Sequence, residues 1–148
     1  MSLYSTLLLI PCVFYVSAYE SYIDLIPNGE NVKYTSCSNL TNWQAVGHVT
    51  AGYTGNPFQR NLFGEAFAAA NYTWTADLCN ADSDMDGMKN GDELGFINCT
   101  LASVWRTDPS SVTLTTPEGH PGICEVTADT PAGVNCDSVN ADIPAAQC

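Results

Sequence analysis

The chain is 148 residues long and carries 16 Asp and Glu against four Lys and Arg, a formal net charge of −12. A surface of that sign repels nucleic acid and anionic lipid, and Lys33, Arg60, Lys89 and Arg106 are too scattered to form a cationic patch, so nucleic-acid and membrane partners are disfavoured. A cationic protein partner or a metal ion suits the charge, and the length bounds the chain to one domain with a modest core.

Residues 1–18 carry no charge and hold the apolar run Leu7 to Val16, followed by Ser17-Ala18. That pattern reads as a secretory signal peptide, too short to span a membrane, so the mature protein is expected to be secreted and extracellular. Removing the leader removes Cys12 and leaves Cys37, Cys79, Cys99, Cys124, Cys136 and Cys148, an even set that implies disulfides in an exported chain. Fifteen pairings are open at this point, roughly speaking the full combinatorial set. The sequons at Asn39, Asn71 and Asn98 agree with export and mark candidate glycosylation sites.

Along the mature chain, Ile23 to Gly29 reads as an extended stretch ending in a turn. Trp43, Val46 and Val49 fall at helical spacing within Thr41–Val49, and Leu62, Phe63, Ala66, Phe67 and Ala70 give a short amphipathic helix over 61–70. A turn over Thr75–Cys79 leads into an acidic loop, Val112–Thr116 alternates as a short strand, and a tail rich in Ala, Asp, Asn and Pro follows Cys124. The expected core is Trp43, Phe58, Phe63, Phe67, Trp74, Leu78, Leu94 and Trp105. The organisation is a signal peptide over 1–18, a disulfide-stapled domain over 19–124 and a Cys-containing tail over 125–148. The fold class is a small disulfide-rich α+β or irregular domain with short helices.

The most specific pattern is Asp82-Ser83-Asp84-Met85-Asp86-Gly87-Met88-Lys89-Asn90-Gly91-Asp92-Glu93, which satisfies the calcium-loop motif D-x-[DN]-x-[DN]-G-x5-E at every required position. Alternating aspartates gather carboxylates on one side of a tight turn, Gly87 reverses it, and Glu93 closes the shell bidentately. Five carboxylates share twelve residues with Lys89 alone to offset them. Each pair at about 6 Å repels by roughly 0.7 kcal/mol even in water, a penalty that a hard divalent cation removes. The expected ligands are the side chains of Asp82, Asp84 and Asp86, the Met88 carbonyl, Asn90 directly or through water, and Glu93. Lys89 stands where a paired EF-hand loop has an apolar residue, and the chain has no second loop. The ion is therefore read as structural Ca2+ in an isolated EF-hand-like loop similar to those of dockerins. Cys79 and Cys99 bracket the loop, and a bridge between them would contribute about 3 kcal/mol while drawing the loop ends together.

Several segments in order resemble the temptin family: Ile26-Pro27-Asn28-Gly29, Trp43 with Val46-Gly47-His48, Asn56-Pro57-Phe58, Phe63-Gly64-Glu65-Ala66-Phe67, Trp74 to Cys79, and Asn90 to Gly95 ending at Cys99. The resemblance covers about residues 23 to 124. It implies a secreted, calcium-associated domain of a water-borne pheromone mixture that binds another secreted protein, the peptide attractin or one like it. It also implies the pairings Cys79–Cys99 and Cys37–Cys124, which leave Cys136 with Cys148. Met85 stands where the family loop usually has Gly; a left-handed φ there would cost about 1–2 kcal/mol.

No catalytic motif is present, so the chain is expected not to be an enzyme. The alternative is an extracellular copper or zinc enzyme using His48 and His120, the two histidines of the chain, for which no third ligand is apparent. A matrix-type structural component is the plainer alternative.

Overall fold

The computed structural model describes residues 20–34, 42–51 and 59–144. The expected leader, the sequon at Asn39, and Cys37, Phe58 and Cys148 lie outside these residues. Among the described residues no helix is long and apolar enough to cross a membrane.

Among the described residues six short α-helices run in order: α1 (Glu20–Ile23), α2 (Leu62–Ala69), α3 (Ala76–Asn80), α4 (Asn90–Glu93), α5 (Ala102–Thr107) and α6 (Cys136–Val139), with 3-10 turns at Cys99–Leu101 and Pro109–Ser111. Of the two forms expected, the described residues show the irregular one with short helices: they contain no strand and pair as β-structure only at two isolated antiparallel bridges, Val32 with Trp43 and His48 with Arg60. The stretch read as extended from Ile23 is instead a chain of turns, with Leu25 N donating to Tyr22 O, Ile26 N to Ile23 O and Gly29 N to Ile26 O. Val112–Thr116 is held by Thr115 N donating to Gly95 O (2.9 Å), without a partner strand among the described residues.

Asn61 explains why α2 forms where it does and why its neighbour does not become a helix. Its Oδ1 caps α2 by accepting from Gly64 N (2.9 Å), while Nδ2 donates to Val46 O (2.8 Å) and His48 O (3.1 Å). The carbonyls of the 46–48 segment therefore serve Asn61 rather than a helical ladder, and Gly47 O also accepts from Asn61 N. Trp43, Val46 and Val49 are buried as their spacing suggested, but through turns tied to distant segments, with Trp43 N on Val32 O and Val49 N on Gln59 O. A Cβ at Gly64 would fall on the Gly47 carbonyl oxygen, so only glycine allows α2 to lie this close.

The core joins Trp43, Phe63, Phe67, Trp74, Leu78 and Leu94 to Ile26, Val32, Phe96, Ala102 and Ile123. Trp105 is half-buried at its edge, its ring edge-on to Phe96 and its indole N–H donating to Leu25 O (3.0 Å).

Two disulfides lie within the described residues, Cys79–Cys99 and Cys124–Cys136. The second overturns both Cys37–Cys124 and Cys136–Cys148. Its cause is local: Asn135 caps α6 by accepting from Asp137 N and Ser138 N, and Asn140 at the other end clasps Cys124, taking its N–H (2.9 Å) and donating to its carbonyl (2.8 Å). With α6 pinned there, Cys136 sits with its Cα 5.1 Å from that of Cys124. The segment after Cys124 thus folds back onto the domain.

Candidate metal site

Helix α3 delivers the chain into the acidic loop. Thr75 caps it, its hydroxyl accepting from Leu78 N (3.1 Å), and Cys79 on its buried side is bridged to Cys99. Helix α4 closes the far end against the same bridge. A side chain at Gly91 would collide with Cys79 Sγ and the Phe96 carbonyl, so the backbone of α4 lies directly on the disulfide.

Within the loop, side chains hold the backbone in a tight coil. Gly87 N donates to Asp82 Oδ2 (3.0 Å), Asp86 N to Asp84 Oδ1 (3.3 Å) and Met88 N to Asp86 Oδ1 (2.8 Å). Gly87 has φ of +101° and Met85, a side chain that disfavours this region, has φ of +65°. Asn90, expected to reach an ion directly or through water, is fully buried and engaged with the loop's own framework: Oδ1 accepts from Ser83 N, and Nδ2 donates to Leu78 O (2.7 Å) and Ser83 Oγ (2.9 Å). Its backbone N–H also meets Ala81 O at 2.8 Å, which ties the two ends of the loop together. Lys89 reaches away toward Asn80 Oδ1.

One carboxylate oxygen from each of Asp82, Asp84 and Asp86 lies within 4.8 Å of the others. Glu93, at the start of the segment that leaves the loop, is fully buried, and both its carboxylate oxygens lack a hydrogen-bond donor among the described residues, as do Asp82 Oδ1 and Asp84 Oδ2. Burial, followed by the charges of Asp84, Asp86, Asp82 and Glu125, pushes the Glu93 carboxyl up to about 11. Burial and then the charge of Asp86 raise Asp84 to about 8, and burial raises Asp86 as well.

Residues outside the motif complete the enclosure. Glu118 N and Gly119 N donate to the Glu93 carbonyl, and the backbone of Gly119 packs against its carboxylate. Buried Glu125, next to the Cys124–Cys136 bridge, donates its backbone N–H to Asp86 Oδ2 (3.3 Å), and the loop tip at Gly87 packs on Asp129 and Pro131. No spacing rule in the sequence links these residues to the loop; the acidic side chain directly after Cys124 was the one available signal.

The two histidines enter no such cluster among the described residues. His120 is buried edge-on against Trp43, with ring centroids 5.0 Å apart, and its Nδ1 accepts from Gly122 N (3.1 Å), which leaves the proton on Nε2. Burial lowers its pKa to about 3. His48 lies beside Arg60 across the isolated bridge, and its pKa is lowered by burial and by the Arg60 charge. Asn71 and Asn98 are exposed.

These shifts set the pH response of the protein held in chelator. Asp84 and Glu93 bind protons more tightly folded than unfolded, so their stabilisation is complete below the ordinary values of 3.8 and 4.5 and is lost as pH rises through the folded values of about 8 and about 11. His120 acts oppositely, with stability lost as pH falls from 6.5 toward about 3. Between pH 6.5 and 8 the carboxyls act alone, so chelated protein should lose stability with rising pH, by at most about 1.4 kcal/mol per pH unit for each proton, in denaturant titrations. A flat response would contradict a desolvated cluster. Relieving the left-handed Met85 should also be measurable: Met85→Gly removes about 1–2 kcal/mol of strain against about 0.5–1 kcal/mol of added chain entropy, a net rise in stability by thermal melting.

Comparison with known proteins extends this picture. The family model described as Temptin C-terminal matches residues 16–123, which takes in the whole loop and the Cys79–Cys99 bridge. Temptin of Aplysia californica is 42% identical over 111 residues, covering 75% of this chain and 82% of that protein. No solved structure matches the chain. With a family model spanning most of its length and a relative at this identity, the chain belongs to the temptin family.

Proposed function

We propose that this chain is a secreted extracellular signalling and binding protein of the temptin kind, a component of a pheromone complex that works by binding another secreted protein or peptide, attractin-like in character, and that calcium staples its fold. The role rests on family membership. The ion rests on one observation, the buried carboxylate oxygens of Asp82, Asp84 and Glu93 that have no donor among the described residues. Burying uncompensated carboxylates is costly, and a hard divalent cation with oxygen ligands is the chemistry that accommodates them.

Asp82, Asp84, Asp86 and Glu93 would hold Ca2+ with the Met88 carbonyl, while Asn90 serves the loop from beneath. When bound, the ion supplies positive charge that relieves the mutual repulsion of these carboxylates and of Glu125. The remaining acidic surface suits a cationic partner, and exposed Asn71 and Asn98 suit N-glycosylation.

Loop affinities of this class lie at about 10⁻⁴ to 10⁻³ M, so about 10 mM Ca2+ should add about 1.4–2.7 kcal/mol of stability over the chelated protein by calorimetry. Glu93→Gln should abolish that increment without lowering stability in chelator, since the buried carboxyl is held protonated there and the neutral amide needs no proton taken up on folding. No response to Ca2+ in the parent protein would overturn the ion assignment. The immobilised protein should capture cationic secreted peptides from conditioned medium in Ca2+ and release them in chelator; capture indifferent to calcium would sever the partner role from the ion.

A further inference from the structure

Away from the loop, and sharing no residue with it, a cavity of about 210 Å³ is lined by residues of α1, the 45–48 turn, α2 and Tyr72. Buried Ile23, Ile26, Val46 and Phe67 form its apolar floor. Its rim is of another kind. Tyr22 and Tyr72 stack with ring centroids 4.5 Å apart, and exposed Arg60 lies 5.8 Å from the centroid of Tyr72 while donating to the Tyr72 hydroxyl (3.0 Å). The antiparallel bridge sets His48 opposite Arg60, so both line the same opening.

Arg60 is conspicuous for its company. In a chain with 16 carboxylates and four cations, no carboxylate of the described residues forms an ion pair with it. A guanidinium has five N–H donors in a planar fork, and the bond to Tyr72 engages one. The phenol accepts from Arg60 and keeps its own O–H to donate. Two donor groups, one cationic, therefore border an apolar hollow on an otherwise anionic molecule.

We propose that this cavity binds a small organic carboxylate, its apolar body against Ile23, Ile26, Val46 and Phe67 and its carboxylate on Arg60 and the Tyr72 hydroxyl. An apolar cavity of about 150 Å³ accommodates benzene, so this one takes a single ring with a short chain or a short branched aliphatic group. The carboxylate matches the guanidinium fork, and the repulsion that the net charge of −12 presents to an anion is offset locally by the only cation among the lining residues. The proposal is independent of the calcium loop and of the pheromone role.

The test is isothermal titration of the full protein with 3-phenylpropanoate and with 3-phenylpropanamide, its neutral counterpart of the same shape. The acid should bind with a dissociation constant of about 0.1–1 mM, and the amide at least about tenfold more weakly. Arg60→Gln should weaken the acid by a similar factor and leave the amide unchanged, with near-ultraviolet circular dichroism confirming an intact core. Phe67→Leu, a second variant at the floor, should change affinity for acid and amide alike. Absence of heat from the acid at millimolar concentration, equal binding of acid and amide, or an Arg60→Gln variant that keeps full affinity for the acid would each overturn the proposal.

Discussion

Burial of several carboxylates in one small volume is the constraint around which most of the structure is arranged. Asp84, Asp86 and Glu93 are all withdrawn from solvent, and Asp84 and Glu93 each hold oxygens with no donor among the described residues. Repulsion among them would spread the segment apart, so the surrounding chain restrains it from every side. The Cys79–Cys99 bridge closes the base, Asn90 links the two ends, and residues 118–119 hold the Glu93 backbone. Glu125, positioned beside the Cys124–Cys136 bridge, ties in the C-terminal segment through Asp86. Each disulfide closes a short loop and removes about 3 kcal/mol of chain entropy from the unfolded state. A domain with helices of at most eight residues among its described elements has little regular structure to supply that restraint otherwise.

What the sequence disclosed was what local chemistry dictates. Helix α2 follows from the period of Leu62, Phe63, Ala66 and Phe67, to which the structure adds Asn61 as the cap, and the loop follows from twelve consecutive residues. The misread segment, Thr41–Val49, shows the limit of periodicity. Spacing of three between buried residues describes burial and not backbone, and here long-range bonds from Val32, Gln59 and Asn61 impose turns instead. The Cys124–Cys136 pairing depended on the short α6 and on Asn140 reaching back to Cys124, contacts that no count of cysteines contains. Glu125 was hidden for the same reason: its place beside Asp86 is a property of the folded chain. The strain at Met85, by contrast, was legible, since a motif position that favours glycine held a side chain.

The molecule separates two kinds of chemistry. Around the loop, anionic groups are enclosed and the aromatic core of Trp74 and Phe96 packs behind them, edge to face at 5.7 Å. On the face bearing Arg60, His48 and the tyrosine pair, the surface is apolar and locally cationic. Asn61 connects the two regions indirectly, because its carboxamide packs under Gly122, beside buried His120, while its hydrogen bonds hold the 46–48 turn at the edge of the cavity.

The contact of Gly91 with Cys79 has a bearing on how such loops travel between proteins. The ion-binding pattern leaves the residue after Asn90 unspecified, yet here the sulfur of Cys79 occupies the space a side chain would need. Part of the loop's sequence is therefore dictated by the bridge behind it. Grafted without Cys79 and Cys99 the twelve residues would keep their acidic pattern but lose the surface that α4 rests on, so the heritable unit is the longer segment from Cys79 to Cys99, and insertions or exchanges within the family should respect those two boundaries.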